Sequence, residues 1–153
     1  MNTSQALGQS CSIFGVPAQD VEALWPKVET FVAAALEESR GELSLEDVRT
    51  NLLERYMQLW VLYEEASEKL KGCVVTQIID YPQKRYLRVV ILGGFDLSEW
   101  VGNWDFIELW ARHQKCHGVE SYTRRGFVRK LKDAGFSEYY AMVGKDFLPI
   151  DVH

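Results

Sequence analysis

A glycine pair at the end of an apolar run is the part of this sequence with the clearest chemical potential. The run Val89–Leu92 predicts a buried strand, Gly93-Gly94 predicts a turn, and Leu97–Trp100 predicts the start of a helix. A turn from a strand into a helix presents backbone N–H groups and the positive end of the helix dipole, which together bind phosphate groups. Leu92, Gly93 and Gly94 are therefore candidates for binding a cofactor phosphate.

Two acidic residues predict a different use of the same N–H groups. Asp96 and Glu99 are three residues apart at the predicted helix start. That spacing is typical of a capping box, in which side chains of the helix itself accept hydrogen bonds from the first N–H groups. Their negative charges would also repel a phosphate at short range. The turn either binds an anion or begins a helix that caps itself.

Two histidines and a cysteine form a second candidate site, for a metal ion. His113, Cys116 and His117 fall near the end of a predicted helix, with the histidines four residues apart. Imidazole and thiolate groups at that spacing can bind a transition metal. No fourth ligand is evident nearby in the sequence. The alternative is that these residues only complement the negative end of the helix dipole, so we expect no bound metal.

Composition and charge exclude several classes of protein. The 153 residues carry a net charge of −5 and have a pI near 5.2, whereas a nucleic-acid-binding domain normally has a basic face. No apolar run approaches the roughly 20 residues needed to span a membrane, and the N-terminus lacks the features of a signal peptide. The three widely spaced cysteines are typical of free thiols. We therefore expect a cytoplasmic protein that binds neither nucleic acid nor membrane.

Apolar spacing predicts the elements that position these residues. Polar residues 1–12 are expected to form a flexible arm, and residues 13–153 one domain. The first elements are an edge strand over residues 13–17, a helix after Asp20 that Pro26 kinks or divides, and a helix that Ser44 caps. Three strands then form an antiparallel meander; they are Leu59–Tyr63, Gly72–Tyr81 and Tyr86–Leu92.

The second half of the chain alternates helices and strands. We predict a long helix, Leu97–Cys116, a short strand, Val119–Tyr122, and a helix, Arg125–Ala134, that Gly135 ends. Tyr139–Val143 is predicted as a last strand, with residues 147–150 as a candidate for one more. The whole order predicts an α/β fold, in which a mixed sheet has helices on both faces.

This order of elements resembles the GNAT N-acetyltransferase superfamily, and more narrowly the GNAT-like proteins of tailed bacteriophages. The likeness covers about residues 17–148 and depends on the order and spacing of several short motifs. These motifs are Leu92-Gly93-Gly94, Trp100, Glu108, Trp110-Ala111, Lys115-Cys116, Arg124-Arg125-Gly126-Phe127 and Gly135-Phe136. The resemblance implies a GNAT-like fold in which the third meander strand leads to a helix whose N-terminus holds the pyrophosphate of an acyl-CoA.

The resemblance also implies roles for individual residues. If acyl-CoA binds, Leu92, Gly93, Gly94 and Arg125 are its expected ligands. Arg125 belongs to a basic cluster that is otherwise a solvated face or a patch for an acidic partner. A carboxylate near the ends of the meander strands can act as general base for an amine, which makes Glu64 and Asp80 catalytic candidates; ordinary surface charge is the alternative.

The sequence departs from the enzymes of this superfamily at two places. Their loop carries Gln or Arg, two variable residues, Gly, one variable residue, and Gly or Ala, whereas Phe95–Glu99 follows the glycine pair here without a basic residue. Leu131 stands where these enzymes usually have a tyrosine as general acid, and Arg124 where an asparagine is common. The resemblance therefore predicts a degenerate acyl-CoA site that no cofactor occupies.

Aromatic residues favour an interaction function. Three of the five tryptophans lie on the predicted helix Leu97–Cys116, which either packs a core or forms an interface, where tryptophan is enriched. We expect a GNAT-fold protein that acts by protein–protein interaction, with a phage structural protein or a host protein as partner, in the virion or the bacterial cytoplasm. A second copy of this chain is a further candidate partner, which would give a homo-oligomer. The alternative is an acetyl-CoA-dependent N-acyltransferase acting on a small-molecule or protein amine.

Overall fold

The computed structural model describes residues 11–94 and 103–149, and in them the chain forms five strands and four helices. The elements in chain order are β1 (Cys11–Val16), α1 (Ala18–Glu37), α2 (Leu45–Leu53), β2 (Gln58–Glu64), β3 (Lys69–Asp80), β4 (Arg85–Gly93), α3 (Trp104–His113), β5 (Gly118–Ser121) and α4 (Arg125–Lys132). The chain divides into two compact units, Met1–Tyr122 and Thr123–His153. The arm over residues 1–12 and the single domain over residues 13–153 stay predictions.

All five strands form one sheet in the order β1-β2-β3-β4-β5. The first four strands pair antiparallel, and β5 pairs parallel with β4. The predicted edge strand and meander are confirmed. A parallel neighbour requires a crossover connection, which here contains α3.

The first helix is continuous through its proline. Pro26 lies inside α1, so of the two alternatives, a kink or a division into two helices, the division is wrong. Asp20 does not cap this helix, because Pro17 occupies the N-cap and Asp20 lies in the first turn. A carboxylate in the first turn still stabilises the helix by interacting with its dipole.

The second helix begins with the predicted capping box. The Ser44 hydroxyl accepts a hydrogen bond from the Asp47 N–H at 3.0 Å, and the Asp47 carboxylate accepts one from the Ser44 N–H at 2.9 Å. The hydrogen bond from the Ser44 backbone, with a further one from its side chain, lowers the pKa of Asp47. Local sequence therefore determines where α2 begins.

Helices of the first unit cover both faces of the sheet, as predicted. Leu59 and Val61 of β2 belong to a core cluster with buried residues of α1 and α2. Trp60 lies between them and points to the opposite face, because successive side chains of a strand alternate. There it contacts Trp110 of α3, with ring centroids 5.3 Å apart.

The helix after the glycine pair is shorter than predicted. Its described part begins at Trp104, after Asn103, and ends at His113 rather than at Cys116. Lys115 has a φ of 67°, which ends the helix, and the Cys116 N–H bonds back to the Ala111 carbonyl at 3.0 Å. Residues 97–102 of the predicted helix lie outside the described part of the chain.

The last predicted strands are absent from the described residues. Residues 139–149, which include Tyr139–Val143, have no regular secondary structure. Alternating apolar residues form a strand only where a neighbouring backbone accepts their hydrogen bonds, and none pairs with this segment. Only β5 follows the meander in the described sheet. No helix in residues 11–94 or 103–149 is long and apolar enough to cross a membrane.

Candidate functional site: the opening between two parallel strands

The candidate site lies where β4 and β5 stop pairing. β5 follows β4 from Tyr86 opposite Gly118 to Val89 opposite Ser121, where the Ser121 hydroxyl donates a hydrogen bond to the Val89 carbonyl at 3.0 Å. Beyond that point no described strand pairs with β4 on this side. The last part of β4, residues 90–93, therefore has backbone groups on an open edge, which an extended ligand could use.

A β-bulge stands at the start of this opening. On the other side of β4, Val75 of β3 pairs with Ile91 and Thr76 pairs with Val89, so Val90 has no partner in the register. An extra residue of this kind bends its strand and increases the local twist. The bend occurs where β5 ends, so the end of β4 can diverge from the line of β5.

The glycine pair at the end of β4 is required by packing. A Cβ atom on Gly93 would lie 2.6 Å from the Phe31 carbonyl oxygen of α1. A Cβ on Gly94 would lie 2.5 Å from Phe31 Cδ1 and 2.7 Å from Gly72 Cα, and Gly94 has a φ of 102°. Glycine is the residue that fits such a close backbone approach and such a φ. The two glycines are thus explained without any ligand.

The neighbours of the glycine pair were not predicted from the sequence. The helical spacing of α1 put Phe31 on its apolar face, but nothing in the sequence indicated that this face reaches the end of β4. Gly72 and Lys71 belong to the first part of β3, some twenty residues upstream in the chain, next to the end of β4. Such contacts depend on tertiary structure and have no local sequence signal.

The remaining groups of the predicted turn lie on or beyond this edge. Leu92 pairs with Val74 in the register and is half-buried. Asp96 and Glu99 lie outside the described residues, so their capping box stays a prediction. Arg125 is the first residue of α4, in the second unit, and its role as an acyl-CoA ligand also stays a prediction.

A polar cluster holds the closed part of the two strands together. The Arg88 guanidinium of β4 donates to the Glu120 carboxylate of β5 from Nε at 2.9 Å and from Nη2 at 2.8 Å. The Tyr81 hydroxyl lies 2.9 Å from each Glu120 oxygen and accepts a hydrogen bond from Arg88 at 3.1 Å. Arg88 also stacks on the Tyr122 ring, 4.8 Å from its centroid. We call Arg88, Glu120, Tyr81 and Tyr122 the strand clamp.

The hydrogen bond to Glu120 raises the pKa of Tyr81, and burial raises it further. The carboxylate accepts a hydrogen bond from the phenol O–H, which stabilises the neutral form of the tyrosine. This cluster has no signal in the sequence, because Arg88 and Glu120 come together only when β5 lies parallel to β4.

The two carboxylates predicted as general bases are not brought together at the opening. Glu64 lies at the end of β2. There it accepts a hydrogen bond from the Ser67 hydroxyl at 2.7 Å and forms an ion pair with Lys71 at 3.8 Å. Asp80 pairs with Arg85 at 3.4 Å, at the end of the sheet opposite Gly93. Along β3, Asp80 is about 23 Å from Cys73, the residue that lies opposite Gly93, at roughly 3.3 Å per residue.

Of the three predicted metal ligands, His117 has another partner. His117 is not on the helix of His113, because that helix has ended before it. The His117 Nδ1 accepts a hydrogen bond from the Arg85 N–H at 3.1 Å, and the His117 N–H donates to the Arg85 carbonyl at 2.7 Å. Within the described ranges no group of three or more His, Cys, Asp or Glu residues could hold a metal ion.

The outer side of α3 carries apolar side chains in contact with solvent. Trp104, Ile107 and Ala111 are buried, whereas Phe106 is 52% exposed and Leu109 is 54% exposed. The Phe106 ring packs edge-on against the buried Trp60, with centroids 6.1 Å apart. We call Phe106 and Leu109 the α3 patch.

The second unit confirms one further expected feature. Its helix α4 ends before Gly135, whose φ is 89°, and the Phe136 N–H donates a hydrogen bond to the Leu131 carbonyl at 3.1 Å. This closure is a Schellman motif. The Gly-Phe pair therefore ends the helix as predicted, and it does so through its backbone.

Comparison with solved structures shows the fold. The chain is similar to an aminoglycoside acetyltransferase from an uncultured soil metagenomic sample, with a TM-score of 0.66 and 11% identity over 90% of this chain and 97% of that one. It is also similar to a glucosamine-6-phosphate N-acetyltransferase from Arabidopsis thaliana, with a TM-score of 0.61 and 12% identity over 90% of this chain and 98% of that one. A third similar structure is a predicted acetyltransferase with acetyl-CoA from Clostridium acetobutylicum, with a TM-score of 0.63 and 12% identity over 89% of this chain and 96% of that one.

Comparisons of the sequence with protein-family models and with curated protein sequences give no match. At 11% to 12% identity the structural likenesses establish the architecture and leave the activity open. The chain has the GNAT-like mixed α/β fold that the order of elements predicted.

Proposed function

We propose that this GNAT-fold chain acts by binding another protein through the α3 patch, and that its acyl-CoA site no longer serves a cofactor. The observation that carries the proposal is the exposure of two large apolar side chains, Phe106 and Leu109, on the outer side of α3. Large apolar side chains next to each other on a surface are typical of interaction sites.

The α3 patch is held by a rigid base. Trp60 is 3% exposed and contacts both Phe106 and Trp110 edge-on. A side chain fixed in this way loses little rotamer freedom when a partner covers it, which favours binding. The residues Phe106 and Leu109 are three positions apart, so they lie side by side along the helix and present one continuous surface.

Two observations support the loss of cofactor function. The glycine pair is required by contacts with Phe31 and Gly72, so its presence is no evidence for a phosphate site. Neither Glu64 nor Asp80 lies at the open edge of β4, and Leu131 replaces the expected tyrosine. Following the resemblance to phage proteins, we propose a phage structural protein or a host protein as the partner.

A second candidate function is N-acyl transfer from acetyl-CoA. It is favoured by the open edge of β4 after the Val90 bulge, which could pair with an extended cofactor arm. In this reaction the acceptor amine attacks the thioester carbonyl, a C–N bond forms, the C–S bond breaks, and the departing thiolate receives the proton that the amine loses. The acceptor would be a small-molecule or protein amine.

Thermal unfolding with acetyl-CoA separates the two candidates. We expect no change in the unfolding temperature at millimolar acetyl-CoA, with free adenosine as the control for nonspecific effects. A ligand at 100 times its dissociation constant would add about 2.7 kcal/mol to the free energy of unfolding. A stabilisation of that size would contradict the loss of the cofactor site and favour the acyltransferase.

Photo-crosslinking tests the protein partner directly. A photoreactive phenylalanine at position 106 should crosslink one defined protein in infected or host cells, which mass spectrometry identifies. The same group at Tyr56, 63% exposed and on another surface, is the matched control. The double change Phe106→Ser and Leu109→Ser should abolish the crosslinked complex and leave the unfolding temperature within about 2 °C, because both side chains are already half exposed. Equal crosslinking from both positions would contradict the proposal.

A further inference from the structure

The first strand provides a second open edge of the sheet, at the opposite side from β5. β1 pairs with β2 along its whole length and is the outermost strand in the sheet order. In the part of the chain that the structure describes, no strand pairs with its other side. An edge strand of this kind presents unpaired backbone donors and acceptors to any other extended chain.

β1 lacks the features that usually protect an edge. None of its six residues is charged, and none is proline; Pro17 follows directly after it. Ile13, Phe14 and Val16 favour the extended conformation. Edge strands that must stay unpaired usually carry lysine, proline or an inward-pointing charge.

An apolar groove adjoins this edge on the face that α1 covers in part. The groove has a volume of about 770 Å³ and is lined by apolar side chains from β1, β2, β3 and α1; these include Phe14, Val16, Leu24, Val61, Tyr63 and Leu70. Phe14 is 50% exposed and packs edge-on against Tyr63, with ring centroids 6.3 Å apart. The open edge is therefore continuous with exposed apolar surface.

The charges around the groove indicate which occupant fits. Asp20, Lys27, Glu68 and Lys69 line it, two anions and two cations, and none of them forms an ion pair among the described residues. A strongly acidic or basic partner would meet as much repulsion as attraction here. An uncharged, apolar strand meets no such penalty, and β1 of a second copy is such a strand.

We propose that β1 pairs antiparallel with β1 of a second copy of this chain, across a two-fold axis at Phe14. Residues that lie directly opposite each other in two paired strands point to the same face of the sheet, whereas neighbouring residues of one strand point to opposite faces. The two-fold axis must therefore pass between a residue and its own copy in the second chain. Ile13 is only 7% exposed on its own face, whereas Phe14 is half exposed. An axis at Phe14 therefore buries more apolar surface, and it joins two five-stranded sheets into one.

This interface is self-complementary, as a two-fold axis requires. The two Phe14 rings face each other where the grooves of the two copies meet, and aromatic pairs of this kind stabilise cross-strand contacts. In this register Ile13 lies opposite Gly15 of the second copy, and Ser12 lies opposite Val16. The contact is small, so the dimer is expected to be weak and to depend on protein concentration.

Sedimentation velocity of the full chain from about 1 μM to 1 mM tests the proposal, since that range covers weak specific association. We expect a monomer–dimer equilibrium. Phe14→Lys should weaken dimerisation at least about tenfold, because it places like charges opposite each other. Leu109→Lys is the matched control, as Leu109 is equally exposed on the other face. It should leave the dimer intact and weaken only the proposed α3 partner, so the two proposals fail independently.

The register is tested with a short thiol crosslinker. In a Cys11→Ser, Cys116→Ser background, Phe14→Cys should crosslink two chains, and Ile13→Cys should not. A monomer at 1 mM, a dimer that Phe14→Lys leaves unchanged, or crosslinking at Ile13 in place of Phe14 would each overturn the proposal. Circular dichroism of every variant confirms that a lost dimer is not an unfolded chain.

Discussion

The two halves of β4 differ in how their outer edge is held. Along Tyr86–Val89 the strand is paired on both sides, and the strand clamp joins it to β5 through side chains. From Val90 to Gly93 no described strand covers that edge. The strand stays paired with β3 on its other side, and Phe31 of α1 packs closely against its glycines. One half is closed by polar contacts at the edge, and the other is fixed by close packing on its face.

This difference shows where a ligand opening in this fold comes from. The opening is formed by the end of β5 and by the bulge at Val90, both properties of strand register. The glycine pair contributes by letting α1 approach closely. A turn that looks like a phosphate site in sequence can thus be required by packing alone, next to an opening that strand register forms.

The largest expected effect comes from filling the glycine contact in the open half. Gly94→Ala should lower the free energy of unfolding by about 2–4 kcal/mol, because the new methyl group overlaps Phe31 and Gly72 and the backbone keeps a positive φ. Gly41→Ala is the matched control, since Gly41 has a φ of 85° with no atom within 4 Å of the added Cβ. It should cost only about 1 kcal/mol in urea unfolding. Equal losses would contradict the packing explanation.

Removing the strand clamp from the closed half should have a smaller effect. Arg88→Met should cost about 1–3 kcal/mol, because Arg88 and Glu120 are only 22% and 18% exposed and the carboxylate loses its cation. Hydrogen exchange at Val119 should also become faster. The comparison variant is Arg49→Met, whose partners Glu22 and Glu46 are largely exposed, so its loss should stay below about 1 kcal/mol. If both variants lost the same stability, the clamp would be an ordinary surface pair.

The smallest effect is a pH dependence from Tyr81. Its pKa is raised in the folded chain, so its contribution is fully present below the unfolded value of about 10 and is lost as pH rises through the folded pKa. Between about pH 9 and 11 the wild type should therefore lose more stability than Tyr81→Phe. Urea unfolding at several pH values measures this difference, and parallel losses would show that Glu120 does not affect the tyrosine.

Features that depend on neighbouring residues could be predicted from the sequence. The Ser44 capping box, the meander and the Gly135 helix end were all predicted and are present. Two predictions failed. Lys115 adopts a left-handed conformation that its residue type does not indicate, and it separates His117 from the helix of His113. A strand at Tyr139–Val143 needs a distant strand as partner, and no described strand pairs with this segment.

The candidate site divides in the same way. The sequence predicted the turn at Gly93-Gly94 after the third meander strand, and the role of that turn in binding a cofactor stays a prediction. The neighbours of the turn and of Arg88 could not be predicted, because Phe31 precedes the turn by some sixty residues and Glu120 follows Arg88 by about thirty. The type of a residue does not indicate which residue far away in the chain it will contact.

The sequence by itself determined the type and order of the elements from β1 to α4, since hydrophobic period, capping residues and glycine act over a few positions. Only the tertiary structure decided what the glycine pair is for. Its neighbours come from α1 and from β3, which meet it only when helix and sheet have packed together, and the φ of Gly94 and the Phe31 contact then leave room for no other residue.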